Sequence, residues 1–409
     1  MANILVIGIN YAPEPTGSAP YTSGLAEMLA ECGHNVEALV GIPHYPRWQV
    51  LPSDKFLLRS REVRNQVLVR HFRHFVPSKQ TMIRRIAWEL TFLLNVAISR
   101  TQSRPDLVIC STPSLSGGLL GAFFSWKFHV PLITFVQDVV GRAVTQSGLG
   151  VNEKVGKLVT RLEHKVFSSS KKVCVVSPNF SQYVSKSNLS PDRIVTFPNW
   201  SHIGLPTKSK ILSRSDLGWP NELVIVLHTG NMGLKQDLGN VIETGKLFAE
   251  NPLFKFVLCG DGNQKEQILG LASGVSAISY MAPVSDEEYP NLLQAADILI
   301  VNERDTVGDM SLPSKLTSYL MVGKPIIAAV AMNGACAQEL SQTGGAAIIV
   351  PAGNPERLAS AIIELAKDPK RMTQMTEAGQ TYAARKLSRD SAKSKIKKIV
   401  DELLQLEKP

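Results

Sequence analysis

The apolar positions of the chain form two successive sets of short runs, separated by stretches with helical spacing. Several runs are continuous and β-branched, as expected of parallel strands that are covered on both faces. The helical stretch Tyr21–Cys32, ended by Gly33, is typical of the segments between them. The strand candidates of the first set are Ile4–Ile9, Val36–Val40, Val67–Phe72, Leu107–Cys110, Leu132–Val136, Lys172–Ser177 and Ile194–Phe197. Those of the second set are Val224–Thr229, Phe254–Cys259, Ala277–Met281, Ile298–Val301, Ile326–Val330 and Ala347–Val350. The pattern predicts an α/β protein with two doubly wound sheets.

A polar segment broken by Gly204 and Pro206 separates the two sets. We therefore predict an N-terminal domain over residues 1–200, a linker over 201–216 and a C-terminal domain over 217–385. The last segment, 386–409, is predicted to be a helix that crosses back to the N-terminal domain. A length of 409 residues suits two domains. Ligands are expected at the carboxyl ends of the strands, in a central cleft that the two domains face.

Composition narrows the class of protein further. With 44% hydrophobic and 19% charged residues the chain is globular. The five cysteines are scattered without C-x-x-C spacing, so neither a zinc site nor a disulfide framework is indicated. Because an apolar strand begins at Ile4, we expect no signal peptide, and the scattered cysteines lead us to expect a reduced, cytoplasmic location. No Asp-x-Asp occurs, and we expect no metal.

The net charge of +9 is unevenly distributed. Ten Lys/Arg and only two acids lie between Arg59 and Arg104, and seven Lys/Arg face one acid between Arg385 and Lys398. Such surfaces suit anionic partners, although the second cluster is interpreted as an ordinary solvated face. Nucleic acid is not an expected partner, because the basic stretches lack interleaved aromatic residues on a known module.

An apolar run, Ile86–Ile98, follows the pair Arg84-Arg85. Thirteen residues that include Glu89 and Asn95 are too few and too polar to span a bilayer. Two interpretations stay open: a buried helix of the first domain, or a helix whose basic end lies on an anionic membrane surface. One helix can do both, with one face in the core.

Three glycine-bearing loops follow strand candidates and precede helices. They are 10–20, with Gly17 and Ser18, the segment from Gly230 to Gln236, and Gly260-Asp261-Gly262. Such loops present backbone N–H groups to anions, although each could be a simple connection. Neither G-x-G-x-x-G nor a P-loop occurs, which argues against a dinucleotide dehydrogenase or an ATPase.

The segment from Asp309 to Leu316 carries the strongest local signal. Ser311 is a plausible N-cap and Pro313 suits the first helical turn. Free N–H groups, the positive end of the helix dipole and the charge of Lys315 would together suit a diphosphate. The alternative is an ordinary capped helix with a solvated lysine.

Taken together, the motifs of this chain resemble family four of the retaining GT-B glycosyltransferases. The resemblance is strongest to the subgroup of bacterial exopolysaccharide and O-antigen assembly, including colanic-acid-type enzymes. It covers nearly the full length in the family's order. The matching phrases are Gly8-Ile9-Asn10-Tyr11-Ala12-Pro13-Glu14, Thr16-Gly17, Pro43-His44-Tyr45-Pro46, Gln137-Asp138, Phe197-Pro198-Asn199-Trp200, His228-Thr229-Gly230-Asn231-Met232-Gly233, Gly260-Asp261-Gly262 and Pro313-Ser314-Lys315-Leu316.

The resemblance implies a GT-B fold of two Rossmann-like domains and roles for individual residues. Asp138 would lie beside the transferred sugar, and Lys315 would stabilise the departing phosphate. Val284 would hold the base through its backbone. The implied donor-binding residues are Gly17, Ser18, Gly230, Asn231, Lys235, Gln236, Gly260, Asp261, Val284, Ser311, Leu312 and Ser318. The implied acceptor-binding residues are Tyr11, His44 and Tyr45.

Two positions depart from the family's pattern. Met310 and Ser318 stand where relatives usually carry two glutamates eight positions apart. Loss of the second weakens the expected contact to the ribose, which Ser318 could make only as a neutral hydroxyl. A degenerate relative that only binds nucleotide or lipid is therefore one alternative function.

The resemblance implies a retaining, metal-independent transferase without a cofactor. It would move a sugar from a nucleotide diphosphate sugar, expected to be a UDP-sugar, to a lipid-linked or saccharide acceptor in cell-surface polysaccharide synthesis. We expect it at the inner face of the plasma membrane, and the sequence does not define its oligomeric state. A nucleotide-sugar epimerase or hydrolase of the same fold is the alternative enzyme.

Overall fold

The computed structural model describes residues 1–15, 17–52, 55, 57–79, 81–139, 153–201, 214–307 and 314–406. The chain divides into two compact units. The first contains Met1–Asn199 together with Ala392–Pro409, and the second contains Trp200–Ser391. The division near the C-terminus thus falls a little beyond the predicted residue 385. Each unit is built on a parallel sheet, so the predicted class of two Rossmann-like α/β domains is confirmed.

The first unit contains an eight-stranded sheet. Its strands are β1 (Asn3–Gly8), β2 (Asn35–Gly41), β3 (Arg59–Arg64), β4 (Val67–Phe72), β5 (Leu107–Ser111), β6 (Leu132–Val136), β7 (Lys172–Val175) and β8 (Ile194–Thr196). They are ordered β3-β4-β2-β1-β5-β6-β7-β8. The helices are α1 (Ala19–Glu31), α2 (Met82–Ala97), α3 (Leu115–Phe128), α4 (Glu153–Ser169), α5 (Pro178–Ser185) and the terminal α13 (Arg389–Leu406). The strand order reverses between β1 and β5.

Strand β3 is the one element of this sheet that the hydrophobic pattern does not predict. Its sequence, from Arg59 to Arg64, is mostly charged, and its side chains are largely exposed. It pairs antiparallel with β4 at the edge of the sheet, whereas the other pairs are parallel. The side chains of this edge strand are not covered by a helical layer, so the strand needs no apolar run. Charged residues on an edge also discourage pairing with other chains.

Helices α2 and α3 are joined by a buried carboxylate. Glu89 of α2 accepts the backbone N–H groups of Leu115 and Ser116 at 3.1 and 2.9 Å, and also the Ser116 hydroxyl. Ser114 accepts the N–H of Gly117 at 2.8 Å. The first turn of a helix has no internal partners for its N–H groups, and a negative charge there is stabilised by the helix dipole. The polar residue within the apolar run thus orients one helix against the next.

The second unit contains a six-stranded parallel sheet. Its strands are β9 (Val224–Asn231), β10 (Phe254–Asp261), β11 (Ile278–Met281), β12 (Ile298–Asn302), β13 (Ile326–Val330) and β14 (Ala347–Pro351). They are ordered β11-β10-β9-β12-β13-β14. The helices are α6 (Leu238–Lys246), α7 (Lys265–Ala272), α8 (Tyr289–Ala295), α9 (Ser314–Val322), α10 (Ala335–Ser341), α11 (Pro355–Ala366) and α12 (Pro369–Lys386).

The sheet of the second unit is buried between two apolar clusters. Alternate residues of β9 contribute to opposite sides: Ile225 and Leu227 pack in one cluster, and Val226 in the other. This explains the continuous apolar runs in the sequence. The strand order reverses between β9 and β12, and helices α6 and α9, which follow these two strands, pack on opposite sides of the sheet. Ligands of open α/β sheets bind at such a point.

Candidate functional site

The loop after β9 is fixed to the end of β12 by hydrogen bonds of Asn302. Its Nδ2 donates to the carbonyl oxygens of Gln236 and Asp237 at 2.8 and 2.9 Å. Its Oδ1 accepts from Asn240 Nδ2 at 2.7 Å. All the polar atoms of this buried amide side chain are therefore engaged. The loop that carries Lys235 is held at the position where the sheet is expected to bind a ligand.

Gly230 and Gly260 lie opposite each other at the ends of β9 and β10. A Cβ on Gly260 would lie 1.9 Å from the carbonyl oxygen of Gly230, and Gly230 itself has φ +106°. Both positions therefore require glycine for the strands and loops to pack. Packing and backbone conformation therefore explain why glycine stands at these two positions. Contact of Gly230 and Gly260 with a donor stays a prediction. The next residue, Asp261, has an exposed side chain.

Helix α9 is attached to the end of β9 through hydroxyl groups. The backbone N–H of Thr229 donates to Tyr319 Oη at 2.9 Å, and Thr229 Oγ1 lies 3.1 Å from the same oxygen. Thr229 Oγ1 also lies 2.7 Å from Tyr289 Oη of α8. Residues four apart share one face of a helix, so Lys315 lies on the face that Tyr319 fixes.

Lys315 projects toward the carboxyl end of β9. Its Nζ lies 3.1 Å from Nε2 of His228, which is almost completely buried. A Cβ added to Gly230 would lie 3.6 Å from Lys315 Cε, so the lysine passes close to the glycine loop. Burial, with Lys315 next to it, lowers the pKa of His228 well below its usual value. A neutral imidazole accepts a hydrogen bond from the ammonium group and orients it without adding charge.

Glu303, directly after β12, completes this cluster. Burial raises its pKa to about 7, and the positive charges of Lys315 and Lys235 oppose that rise. Burial also lowers the pKa of Lys315 to about 7, and Glu303 opposes that fall. This cluster therefore comprises the two lysines Lys315 and Lys235 and the carboxylate of Glu303. An anion that bound here would favour the charged form of Lys315.

The remaining residues predicted for the second unit are in different environments. Asn231 is exposed, and its Nδ2 lies 3.5 Å from Gln236 Oε1. Val284 is partly buried and packs against the core. Ser318 is only 3% exposed in α9, so little of its hydroxyl is open to a ribose. Ser311 and Leu312, like Met310, lie outside the described residues. The donor contacts of all these residues stay predictions.

In the first unit, Gly17 and Ser18 lie at the start of α1. Gly17 has φ +72°, a conformation that favours glycine. A Cβ there would lie 3.3 Å from the Tyr45 ring, so the structure brings a predicted donor residue next to a predicted acceptor residue. Ser18 occupies the N-cap position without making a side-chain capping bond.

Glu14 fixes the loop after β1 to the loop after β2. It is buried, and its Oε1 accepts the backbone N–H groups of His44 and Tyr45 at 2.8 and 2.9 Å. His44 is buried too, and its Nε2 accepts from Trp88 Nε1 at 3.2 Å. Tyr11 is likewise buried in the unit. Tyr11 and His44 are thus packed inside the unit, whereas Tyr45 is partly exposed. The acceptor contacts of all three residues stay predictions.

Asp138 follows β6 at the carboxyl edge of the first sheet. Its Oδ1 accepts the backbone N–H of Val139 at 2.8 Å, and its carbonyl oxygen accepts from Thr112 Oγ1 at 3.2 Å. The side chain is partly exposed. Its position at a strand end is compatible with the predicted role beside a sugar, which stays a prediction.

The sequence analysis assigned no role to three residues found here. His228 and Glu303 lie next to Lys315, and Glu14 joins the loops after β1 and β2. His228 and Glu14 stand in phrases that match the family, and a separate signal was present for Glu303 and Glu14. Glu303 directly follows a predicted strand, and Glu14 lies within a loop already singled out. His228 lies inside an apolar run, where a histidine is most often an ordinary core residue. Only the arrangement of the strands shows that it meets Lys315.

Comparisons with known proteins agree with this architecture. A model of the glycosyl transferase 4-like domain matches residues 16–200, and a model of glycosyl transferases group 1 matches residues 209–382. An Escherichia coli (strain K12) protein described as a colanic acid biosynthesis glycosyl transferase, WcaI, is 28% identical over 400 residues. The match covers 95% of this chain and 97% of that protein.

Solved structures share the fold at low sequence identity. Sucrose-phosphate synthase from Thermosynechococcus elongatus aligns with a TM-score of 0.76 at 15% identity, over 100% of both chains. Anabaena HepE, solved with UDP and glucose, aligns with a TM-score of 0.69 at 16% identity, over 98% of this chain and 100% of HepE. WaaG, a lipopolysaccharide-biosynthesis glycosyltransferase, aligns with a TM-score of 0.65 at 13% identity, over 98% of this chain and 99% of WaaG. With its glycosyl transferase 4-like domain and its group 1 domain, the chain belongs to the GT-B glycosyltransferases.

Proposed function

We propose that this glycosyltransferase takes its sugar from a nucleotide diphosphate sugar, with UDP as the nucleotide, and that the diphosphate binds beside Lys315. The observation that carries the proposal is the Lys315 ammonium, held 3.1 Å from His228 at the reversal point of the second sheet. Lys235 adds a second positive charge next to Glu303. The UDP in HepE and the resemblance to the family support a uridine nucleotide.

We further propose that transfer proceeds with retention and without a metal. The departing diphosphate needs charge stabilisation, and preorganised cations in a buried site supply it with little reorganisation. Lys315 is suited to that role, and the exposed Lys235 adds a second positive charge. Asp138 is proposed to lie beside the transferred sugar. The acceptor is proposed to be a lipid-linked or other saccharide of a cell-surface polysaccharide, in keeping with the colanic-acid description of the Escherichia coli relative.

A Lys315→Ala variant tests this role. Loss of a charge-assisted contact should remove about 2–4 kcal/mol of transition-state stabilisation and slow transfer accordingly, by analogy with removed oxyanion donors. Transfer is measured with UDP-sugars as donors at saturating donor, and thermal melting reports folding. The matched control is Lys246→Ala, because Lys246 is an exposed lysine of the same unit paired with Glu243.

A panel of UDP-, GDP- and dTDP-sugars should identify the donor, because a ligand that binds the native state raises the melting temperature.

Near wild-type turnover of Lys315→Ala would show that the lysine has another role. Donor breakdown at the same rate with and without acceptor would favour the hydrolase or epimerase alternative.

We also propose that helix α2 rests on an anionic membrane surface. Its residues Trp88, Phe92 and Val96 are buried in the core. The opposite side exposes a row of apolar side chains at spacings of three and four residues, in which Ile83 is 81% and Ile98 is 73% exposed. The members of this row are Ile83, Ile86, Leu90, Leu94 and Ile98.

The basic residues Arg84 and Arg85 lie at the start of this helix. An exposed apolar row next to arginines is typical of helices that lie in a membrane interface. Across the part of the chain that is described, no helix has the length and apolar character needed to cross a bilayer. The two interpretations of the apolar run are therefore compatible, since one face packs inward and the other is open.

A further inference from the structure

An open groove lies in the first unit, between the edge strand β3, its neighbour β4 and the segment that follows α2. It encloses about 400 Å3. Four arginines line it: Arg59 and Arg61 from β3, Arg70 from β4 and Arg100 from the segment after α2. We call it the arginine groove. It is formed entirely within the first unit, and none of the residues proposed above for donor or acceptor contributes to it.

The pairing of the strands places like charges together. Arg61 lies directly opposite Arg70 in the antiparallel ladder, and Arg59 is two residues from Arg61 on the same face. The guanidinium groups of Arg59 and Arg70 both lie 5.4 Å from the centre of the Phe72 ring. Like charges directly opposite each other across two strands destabilise a sheet. The folded protein thus carries an electrostatic cost at this position.

A single carboxylate offsets this charge. Glu37 Oε1 lies 2.7 Å from an Arg70 guanidinium nitrogen, and Glu37 Oε2 accepts the backbone N–H of Gln102 at 2.8 Å. Both oxygens of Glu37 are therefore engaged. Among the described residues, no carboxylate lies within 4.0 Å of the guanidinium groups of Arg59, Arg61 or Arg100. Four positive charges and one negative charge leave the groove with an excess of three.

We propose that the arginine groove is a binding site for a phosphate group of a second ligand, separate from the donor diphosphate. Arginine forms paired hydrogen bonds with phosphate oxygens, and a concave surface of one sign concentrates the field. Bound phosphate would also relieve the repulsion between Arg61 and Arg70. The phosphate belongs either to a lipid headgroup or to a soluble phosphorylated compound, since both present the same oxygens.

Ligand binding and stability should respond to Arg61→Gln in opposite directions. Without added anion the variant should melt at a higher temperature than the wild type, because the opposed charges are gone. Affinity for inorganic pyrophosphate, measured by calorimetry, should fall about tenfold or more. An arginine with a purely structural role would instead lower the melting temperature when replaced. Arg161→Gln is the matched control, an exposed arginine of α4 with the same change of charge.

Pyrophosphate could also bind beside Lys315, so the experiment is repeated in a Lys315→Ala background. Loss of binding on Arg61→Gln in both backgrounds supports the groove whatever the fate of the proposed donor site. Vesicles of phosphatidylglycerol and of phosphatidylcholine separate the two sources. If Arg61→Gln weakens binding to phosphatidylglycerol vesicles but not to pyrophosphate, the ligand is a lipid headgroup. If Arg61→Gln weakens binding to pyrophosphate but not to the vesicles, the ligand is a soluble compound. If Arg61→Gln and Arg161→Gln bind both probes equally, the proposal is overturned.

Discussion

At the scale of single residues, Lys315 and Glu303 illustrate how burial sets charge. Desolvation disfavours the charged form of each side chain, and the opposite charge of the other residue stabilises that form. The pKa of Lys315 is about 7, so its ammonium is lost as the pH rises through neutrality. An exposed lysine keeps its charge to above pH 10. The charge state of the proposed phosphate site is therefore sensitive to pH in the physiological range.

We predict that the affinity for UDP falls as the pH rises through about 7, because the neutral amine of Lys315 no longer attracts the diphosphate. Glu303→Gln removes a negative charge that favours the ammonium. The pKa of Lys315 should then be lower, and the fall in affinity should move to lower pH. Calorimetry between about pH 5 and 9 measures both profiles. Glu243→Gln is the control, and an unchanged or upward-shifted profile for Glu303→Gln would contradict the prediction.

At the scale of secondary-structure elements, the contact of α2 with the start of α3 shows how a helix terminus is satisfied by another helix. Ser114 alone binds one N–H group of the first turn. Glu89 binds two more and brings a negative charge to the positive end of the dipole. The carboxylate thereby fixes the angle at which the apolar face of α2 meets the unit.

Glu89→Ala should lower the stability of the first unit by about 1–3 kcal/mol, because two N–H groups at the start of α3 lose their partner. Glu89→Gln should lower it less, since the amide oxygen still accepts a hydrogen bond. Urea unfolding with a probe in the first unit measures the change. Glu402→Gln, on the exposed side of α13, provides a control with the same chemistry. Equal stability of Glu89→Ala and wild type would show that water replaces the carboxylate.

At the scale of the whole molecule, the distribution of charge determines which surface an anionic membrane attracts. The chain carries a net charge of +9, and ten of its Lys/Arg lie in the segment from Arg59 to Arg104. This segment includes α2 with its exposed apolar row and the arginine groove. Each basic residue at an anionic surface contributes about 1 kcal/mol, and salt screens the attraction beyond about 8 Å at physiological ionic strength.

The protein should therefore co-sediment with anionic vesicles at low salt and dissociate as salt rises. Arg84→Glu combined with Arg85→Glu should weaken this association. Because Arg85 packs over the Trp48 ring, Arg84→Glu alone serves as the milder variant. Arg357→Glu with Arg371→Glu changes the charge equally in the second unit and should have little effect. Equal binding to neutral and anionic vesicles, or binding to neither, would rule out electrostatic docking.

Much of the fold was predictable from the sequence. Parallel strands covered on both faces need continuous apolar runs, and the strands β1, β6, β9 and β13 follow such runs closely. Strand β3 was not predictable, because an exposed edge strand has no such requirement. Lys315 was proposed as a site residue from the sequence because its signal is local: a helix start, a proline and a basic residue within a few positions.

The partners of Lys315 were beyond the reach of local patterns. His228, Glu303 and Lys315 lie in different parts of the chain, and only the sheet order β9-β12-β13 brings the ends of the first two strands beside α9. The same holds for Arg61 and Arg70, whose opposition depends on the register of an unpredicted strand. By itself, the sequence determined most of the elements and the two-domain α/β class, because these depend on the periodicity and conformational preferences of neighbouring residues. The tertiary structure alone decided which charged groups meet and how burial shifts their pKa values, because both depend on the sheet order and the strand register, which no local pattern in the sequence records.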